Sequence, residues 1–289
     1  MKISLITVSY NAASVIRTAI ESVLSQRGVD IEYLVIDGGS ADGTAEILRE
    51  YEARLKSEGA AESRGNSFTF RWISERDRGM YDAMNKGISL STGEVIGILN
   101  ADDALAADDV LSRVAEAFVA DPKLDGSYGD IRFVNDEATV GTVADLRMLP
   151  TSRYCSGRFF RPWMFRFGVQ TAHPSTFFRR SCFDRFGLYS LDYGMFGDFE
   201  LLCRFIWKNR VRMRYLKLCT TVMRAGGAST NGLATTIKIN RTDRRALRDN
   251  GCRTNYLFLY ARYIFKIWGC IRLPSRPSTR SVALGGMAL

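Results

Sequence analysis

The chain has 289 residues, 46% of them hydrophobic and 25% charged, which is enough to bury a large core and too apolar for a disordered chain. A net charge of +9 hides a polarity along the sequence: residues 1–150 carry 15 Lys/Arg and 25 Asp/Glu, whereas residues 151–289 carry 25 and 6. Six cysteines without a CxxC spacing and a single histidine exclude a zinc site, so the thiols read as small buried hydrophobes of a reducing compartment.

The N-terminus enters a strand-like run at once, without the long apolar core and cleavage site of a signal peptide, and a cytosolic location is expected. Residues 3–8 form the first strand, which stops at Ser9-Tyr10-Asn11. Ser14 is then placed to cap a helix carrying Ile16, Ala19, Ile20, Val23 and Leu24. Residues 31–36 form a second strand ending at Asp37-Gly38-Gly39-Ser40-Ala41-Asp42-Gly43-Thr44, and Ala45, Ile47, Leu48 and Tyr51 open the next helix. A polar surface connection over 56–67 leads into a third strand over 68–73, closed by Ser74-Glu75-Arg76-Asp77-Arg78-Gly79. Met80, Ala83, Met84 and Ile88 then recur at helical spacing until Gly93.

Residues 95–99 are a fourth apolar run, ending abruptly in Asn100-Ala101-Asp102-Asp103. Adjacent carboxylates repel unless a cation lies between them, and hard oxygen ligands suit Mg²⁺ or Mn²⁺. The competing reading makes Asp102 or Asp103 the cap of a helix through Val110, Leu111, Val114 and Phe118. Strands alternating with helices predict a parallel sheet of right-handed βαβ units, an α/β fold. All four strands end in polar groups at one edge, where open α/β sheets bind ligands.

Beyond residue 120 the pattern changes. A strand over 126–134, a turn at Asn135-Asp136 and a short strand over 140–143 extend the sheet. Residues 153–180 interleave aromatics with arginine, as a substrate-facing or membrane-facing wall would. Single-stranded nucleic-acid grooves share that composition, but no nucleic-acid-binding fold signature accompanies it, and no nucleic-acid partner is expected. Asp198 and Glu200 precede the apolar stripe Leu201, Leu202 and Phe205; they are either helix-start carboxylates or a functional base, and few other acids occur in this half. Arg241, Arg244, Arg245 and Arg248 share one helical face. The aromatic run 256–268 is too short and too charged to span a bilayer. It suits an amphipathic helix among anionic headgroups, with a final core helix as the alternative.

Ser9-Tyr10-Asn11, the Asp37–Thr44 segment, the run from Ser74 through Gly79 to Gly87, and Leu99-Asn100-Ala101-Asp102-Asp103 resemble, in order and spacing, the family 2 glycosyltransferases, and among them bacterial enzymes of exopolysaccharide and colanic-acid-type assembly. The resemblance spans about residues 1–205. It implies a GT-A fold with a nucleotide-sugar-binding half over 1–120 and an acceptor-binding half over 121–235, followed by the basic, amphipathic C-terminal segment over 236–289, and it implies a nucleotide-sugar donor, UDP-linked by expectation, and inverting transfer of a hexosyl group. By position it implies that Ser9 and Tyr10 line the nucleotide pocket, that Asp37 holds the base, and that Asp77 and Arg78 flank base and diphosphate. Asp102 would hold ribose and metal, Asp103 would be the direct ligand of Mg²⁺ or Mn²⁺, Asp198 the catalytic base with Glu200 as fallback, and His173 an acceptor-side group. Asn100 stands where many members have Asp, and the QxxRW motif of processive synthases is missing, so single-sugar addition is expected.

The chemistry agrees with that resemblance: a nucleoside diphosphate leaving group needs its developing charge neutralised, and an acceptor hydroxyl needs a base within hydrogen-bond reach. The acceptor is expected to be a glycan or polyprenyl-linked saccharide. Residues 238–273 are expected to meet the anionic inner face of the cytoplasmic membrane, making the protein peripheral. A non-catalytic nucleotide-sugar or glycan-binding partner is the alternative. A glycosidase also uses two carboxylates but has no need of the strand-end crevice, and a dinucleotide-binding dehydrogenase lacks its GxGxxG after the first strand.

Overall fold

The computed structural model describes residues 1–57, 66–135, 142–225 and 233–269. Strands β1 (Lys2–Ser9), β2 (Asp30–Asp37), β3 (Phe68–Ser74) and β4 (Val95–Asn100) pair in parallel in the order β3-β2-β1-β4. The crossovers are α1 (Ile16–Leu24), α2 (Thr44–Ser57) and α3 (Met80–Leu90). The parallel half therefore matches the expectation, with strand limits moved by one residue. Ser14 does not cap α1, whose N-cap position is Val15 without a side-chain bond.

Alternation along these strands splits the core in two. Ile3, Leu5, Tyr33, Val35, Val95 and Leu99 face α1 and a later helix, α4, whereas Ile6, Val8, Leu34, Ile36, Ile96 and Ile98 face α3. Both faces are covered, which is why the strands read as continuous apolar runs. Gly97 on β4 permits a close approach: a Cβ there would lie 2.5 Å from the Phe177 ring.

After β4, the short β5 (Ala104–Leu105) leads into α4 (Val110–Ala120), whose N-cap position is Asp109. Neither Asp102 nor Asp103 starts a helix. Strand β6 (Gly126–Val134) follows. The strand expected over 140–143 is not formed where it can be seen: 140 and 141 lie outside the described residues, and Val143 opens the helix α5 (Val143–Met148), with Thr142 accepting a bond from the Asp145 amide. A short apolar run does not distinguish a strand from the first turn of a helix, and the Thr142 cap decided it.

Strand β7 (Thr151–Cys155) pairs antiparallel with β6, a 3₁₀ turn covers Pro162–Phe167, and β8 (Thr176–Arg179) inserts antiparallel between β4 and β6. Helices α6 (Arg180–Phe186) and α7 (Gly197–Leu202) follow, and α7 continues into a π-helical turn over Cys203–Lys208. Strand β9 (Met213–Arg224) lies parallel to β6 and antiparallel to β5, so one mixed sheet runs through both halves of the chain. Helices α8 (Leu233–Asp249) and α9 (Tyr256–Gly269) close the described chain, and among the described residues no helix is long and apolar enough to cross a membrane.

Candidate functional site

The parallel register aligns the strand ends: Ser9 lies opposite Asp37, Asp37 opposite Ser74, and Val8 opposite Asn100. Asp37 is fully buried and accepts from Ser9 Oγ at 3.0 Å, Ser74 Oγ at 2.6 Å, and the Ser40 amide at 2.9 Å and hydroxyl. Burial alone would raise its pKa; these donors outweigh burial and hold the carboxyl below its ordinary value. Asp37 is thus a fixed carboxylate at the floor of the edge. Asn11, in the left-handed region at φ +49°, accepts from the Ala41 amide at 3.0 Å and binds Ser40 Oγ through its own amide at 2.7 Å. Asp42 accepts from the Ala13 and Thr44 amides at 2.9 and 3.1 Å. The DGGSADGT segment therefore staples the two loops together.

Tyr10 stands exposed beside this floor. Gly38 separates it from Asp77: a Cβ on Gly38 would come 3.3 Å from the Tyr10 ring and 3.5 Å from Asp77 Oδ2. The missing side chain leaves a slot between a ring and a carboxylate. Asp77 pairs through Oδ1 with Lys86, which also bridges Glu75 at 2.7 Å, and Asp77 Oδ2 has no hydrogen-bond partner among the described residues. Arg78 is exposed and ion-paired with Asp82 at 2.8 Å.

At the end of β4 the two acids part company. Asp102 is exposed, whereas Asp103 is 1% exposed and accepts from Asn100 Nδ2 at 2.8 Å. Burial first, and then the neighbouring charge of Asp102, push the Asp103 carboxyl well above its usual range, against the Asn100 bond and the charge of Arg224. The expectation that Asp103 makes the direct metal contact meets an obstacle here: the accessible carboxylate is Asp102. Asp103 Oδ1 is buried behind it without a hydrogen-bond partner among the described residues. Arg224, unforeseen in the sequence, reaches this place because β9 pairs with β5 directly after the acids, and it also donates to Thr18 Oγ1 at 3.2 Å. Among the described residues no group of three or more His, Cys, Asp or Glu forms a metal cage. An exposed acid beside an orphaned carboxylate oxygen nevertheless fits Mg²⁺ or Mn²⁺, which take one or two carboxylates and fill the remaining positions with phosphate and water.

The second half contributes Asp198, in the first turn of α7. Gly197 lets α7 press against α3, since a Cβ there would lie 3.0 Å from the Tyr81 ring. Phe199, Leu201 and Leu202 are buried and fix the helix. Asp198 is half-buried and accepts from Tyr81 OH at 3.1 Å and Gln170 Nε2 at 3.2 Å, one donor on each oxygen. Tyr81 stacks on Tyr189 with centroids 5.3 Å apart, and Tyr189 OH lies 2.6 Å from His173 Nε2. Burial, reinforced by the Asp198 charge, raises both phenols, while enclosure lowers His173 against that same charge. His173 thus sits enclosed behind Tyr189, its Nε2 against the phenol oxygen. Tyr81, Gln170 and Tyr189 were missed from sequence; only proximity in space connects them.

Glu200 has a different place. It is buried, bonded to Arg204 Nε at 3.0 Å and Nη2 at 3.0 Å, and accepts from Asn250 Nδ2 at 3.1 Å. Arg204 in turn donates to the carbonyls of Phe186, Gly187 and Leu188. Glu200 is committed to an internal clamp and does not stand in reserve for Asp198.

The model of the family described as glycosyl transferase family 2 matches residues 4–186. The chain belongs to that family. A PGL/p-HBAD biosynthesis glycosyltransferase of Mycobacterium bovis is 29% identical over 232 residues, covering 79% of this chain and 78% of the relative. An uncharacterized glycosyltransferase of a Nostoc species is 32% identical over 118 residues, 41% of this chain and 33% of its own. Among solved structures, TarS of S. aureus superposes with TM-score 0.60 at 15% identity, covering 94% of this chain and 44% of TarS. Its 1–349 form with UDP-GlcNAc gives 0.57 at 15% identity, covering 91% and 72%. The mannosyltransferase PcManGT of Pyrobaculum calidifontis, with GDP-Man and Mn²⁺, gives 0.54 at 16% identity, covering 92% and 80%. The mostly parallel sheet flanked by helices is the GT-A fold of this glycosyltransferase.

Proposed function

We propose that this glycosyltransferase is an inverting, divalent-metal-dependent, non-processive enzyme that moves one hexosyl group from a UDP-sugar to a hydroxyl of a glycan or polyprenyl-linked saccharide in bacterial surface polysaccharide assembly. The observation that carries the reading is the partition of the cleft: a fixed carboxylate, a ring-lined slot and an exposed acid at the parallel strand ends, and a two-donor carboxylate, Asp198, presented by the other half. That solved neighbours hold UDP-GlcNAc and GDP-Man with Mn²⁺ supports a nucleotide-sugar donor and a divalent cation.

In this reading Ser9 and Tyr10 border the nucleotide, Asp77 receives a donor from the base through its unpartnered Oδ2 while Asp37 fixes through Ser9, Ser40 and Ser74 the floor on which the base rests, and Arg78, by swinging away from Asp82, reaches toward the diphosphate. Asp102, with the unpartnered Oδ1 of Asp103 behind it, would hold the metal, and Arg224 adds positive charge beside them. A bound Mg²⁺ or Mn²⁺ supplies Lewis-acid neutralisation of the leaving diphosphate. Asp198 takes the proton of the acceptor hydroxyl as that oxygen attacks the anomeric carbon, the bond to UDP breaks, and the configuration inverts. Tyr81 and Gln170 are positioning residues: each holds one oxygen of Asp198, so the carboxylate has one orientation. His173 and Tyr189 back the acceptor side. The exposed arginines of α8, Arg241, Arg244, Arg245 and Arg248, support attachment to the anionic inner face of the cytoplasmic membrane; residues 270–273 of the segment expected to do this lie outside the described residues.

The test is a panel of nucleotide sugars with Mn²⁺ or Mg²⁺, read first by thermal shift and then by UDP release with lipid-linked acceptors. A metal-dependent shift with one UDP-sugar and acceptor-dependent UDP release are expected. Donor binding without turnover on any acceptor would leave a non-catalytic binding partner.

A further inference from the structure

The 3₁₀ turn Pro162–Phe167 and the start of α9 are joined as one surface. Thr254 Oγ1 donates to Arg166 O at 2.6 Å, Arg166 Nε donates to Arg253 O at 3.2 Å, and the rings of Trp163, Phe167 and Phe258 form a chain with centroids 5.8 and 5.1 Å apart. The inner side of α9 is anchored: Leu259 is buried, and Arg262 reaches Asp243 at 2.6 Å and Gly168 O at 3.2 Å. Among the described side chains of α9, Leu259 and Arg262 thus pack one side of the helix on the protein. Its other side leaves Leu257 77% and Tyr260 46% exposed, in the same outward direction as Tyr256, while Phe159 and Trp163 on the turn are 72% and 51% exposed. So much exposed apolar and aromatic surface marks a partner.

The charges say which partner. Arg158 lies 5.5 Å from the exposed Phe159 ring and Arg244 4.7 Å from the exposed Tyr256 ring, while Arg166 lies 5.6 Å from the half-buried Phe258, so guanidinium groups border the outward rings. Residues 156–168 and 250–269 contain no Asp or Glu. On α8 the two acids are already engaged, Asp243 beneath Arg262 and Asp249 with Tyr193, Arg245 and Arg248. A second copy docking through this face by two-fold symmetry would set arginine against arginine. Anionic headgroups neutralise those arginines, and Trp, Tyr and Leu side chains are the ones that settle at the headgroup boundary.

We propose that the 158–167 turn and the outer face of α9 form a single docking surface for an anionic lipid bilayer, built into the same segment that positions Asp198. Three residues beyond Phe167, Gln170 donates to Asp198, and the Val169 amide returns to Met164 O at 3.2 Å. A lipid-borne acceptor lying under the turn is therefore delivered beside the carboxylate, an inference that rests on Asp198 being the base.

Flotation of the full chain with vesicles of phosphatidylglycerol and phosphatidylcholine tests it, using Phe159→Ser/Trp163→Ser, which leaves α9 intact, and Leu257→Ser/Tyr260→Ser. Each pair is expected to weaken vesicle binding at least ten-fold, with unchanged melting temperature and an unchanged thermal shift from the UDP-sugar. Binding should also disappear on pure phosphatidylcholine. Wild-type flotation of the Phe159/Trp163 pair, equal binding to neutral vesicles, or a concentration-dependent dimer that Leu257→Ser dissociates would each overturn the proposal. The donor-induced shift, read without vesicles, reports the glycosyltransferase reading separately, so failure of one is distinguishable from failure of the other.

Discussion

Replacing Glu200 by Gln separates structure from chemistry at the carboxylate pair of α7. The side chains of Glu200 and Arg204 are 6% and 14% exposed, and Arg204 also ties down the carbonyls of Phe186, Gly187 and Leu188. Removing one partner of a buried ion pair costs about 3–5 kcal/mol, because the other charge is left uncompensated. Gln retains an oxygen for Asn250 or Arg204, which places the expected loss at the lower end, about 3 kcal/mol. For a domain of this size that corresponds to a fall in melting temperature of roughly 6–12 °C. Differential scanning calorimetry reads it directly, and turnover measured well below the transition should stay within a few-fold of wild type. A Glu200→Gln protein that melts like wild type but has lost UDP release would refute the reasoning: Glu200 would then be doing chemistry.

Other substitutions probe the remaining parts. Asp102→Ala should abolish the Mn²⁺ dependence of donor binding and weaken the donor about 100-fold, measured by calorimetry with and without the metal; unchanged metal dependence would move the site to Asp103. Gly97→Val drives side-chain atoms into Phe177, whose ring already lies 2.5 Å from the position of a Cβ, and should cost at least about 1–3 kcal/mol in urea unfolding. Glu32 is a pH probe. Burial raises its pKa, but bonds from Ser4, the Thr92 amide and hydroxyl, and the Arg71 charge prevail and hold it below the ordinary 4.5. A lowered folded-state pKa contributes stability that is present above the unfolded value and lost as pH falls through the folded one. Glu32→Gln should therefore lower stability at pH 7 and flatten the acid limb of the stability curve below about pH 4.5; an acid limb of wild-type steepness would count against these bonds.

The parallel half was legible because its information is local. Apolar runs buried on both faces, closed by polar residues, announce β1 to β4 and put Ser9, Asp37, Ser74 and Asn100 at one edge without any knowledge of tertiary contacts. What could not be read is which member of an adjacent pair faces outward. Asp102 and Asp103 look equivalent in sequence, yet the turn after β4 buries one beneath Asn100 and exposes the other. Asp198 and Glu200 differ in the same way: Glu200 is buried against Arg204 one turn on, and the bond from Asn250 that completes its clamp comes from fifty residues on. Gln170, Tyr81 and Tyr189 come from three separate segments, so no spacing rule finds them. The C-terminal helix admitted two readings because burial differs residue by residue along it: Leu259 and Arg262 pack on the protein while Leu257 and Tyr260 are exposed, a division that a run so uniformly apolar does not announce.

The central claim is that the strand-end edge holds the donor and Asp198 removes the acceptor's proton. Asp198→Asn keeps an oxygen acceptor for Tyr81 or Gln170 but cannot take a proton. Rapid-mixing single-turnover transfer from the UDP-sugar identified by thermal shift, measured beside donor affinity in the same preparation, should show donor binding within two-fold of wild type and transfer slowed by about 10²–10⁴. Transfer at the wild-type rate would contradict the account.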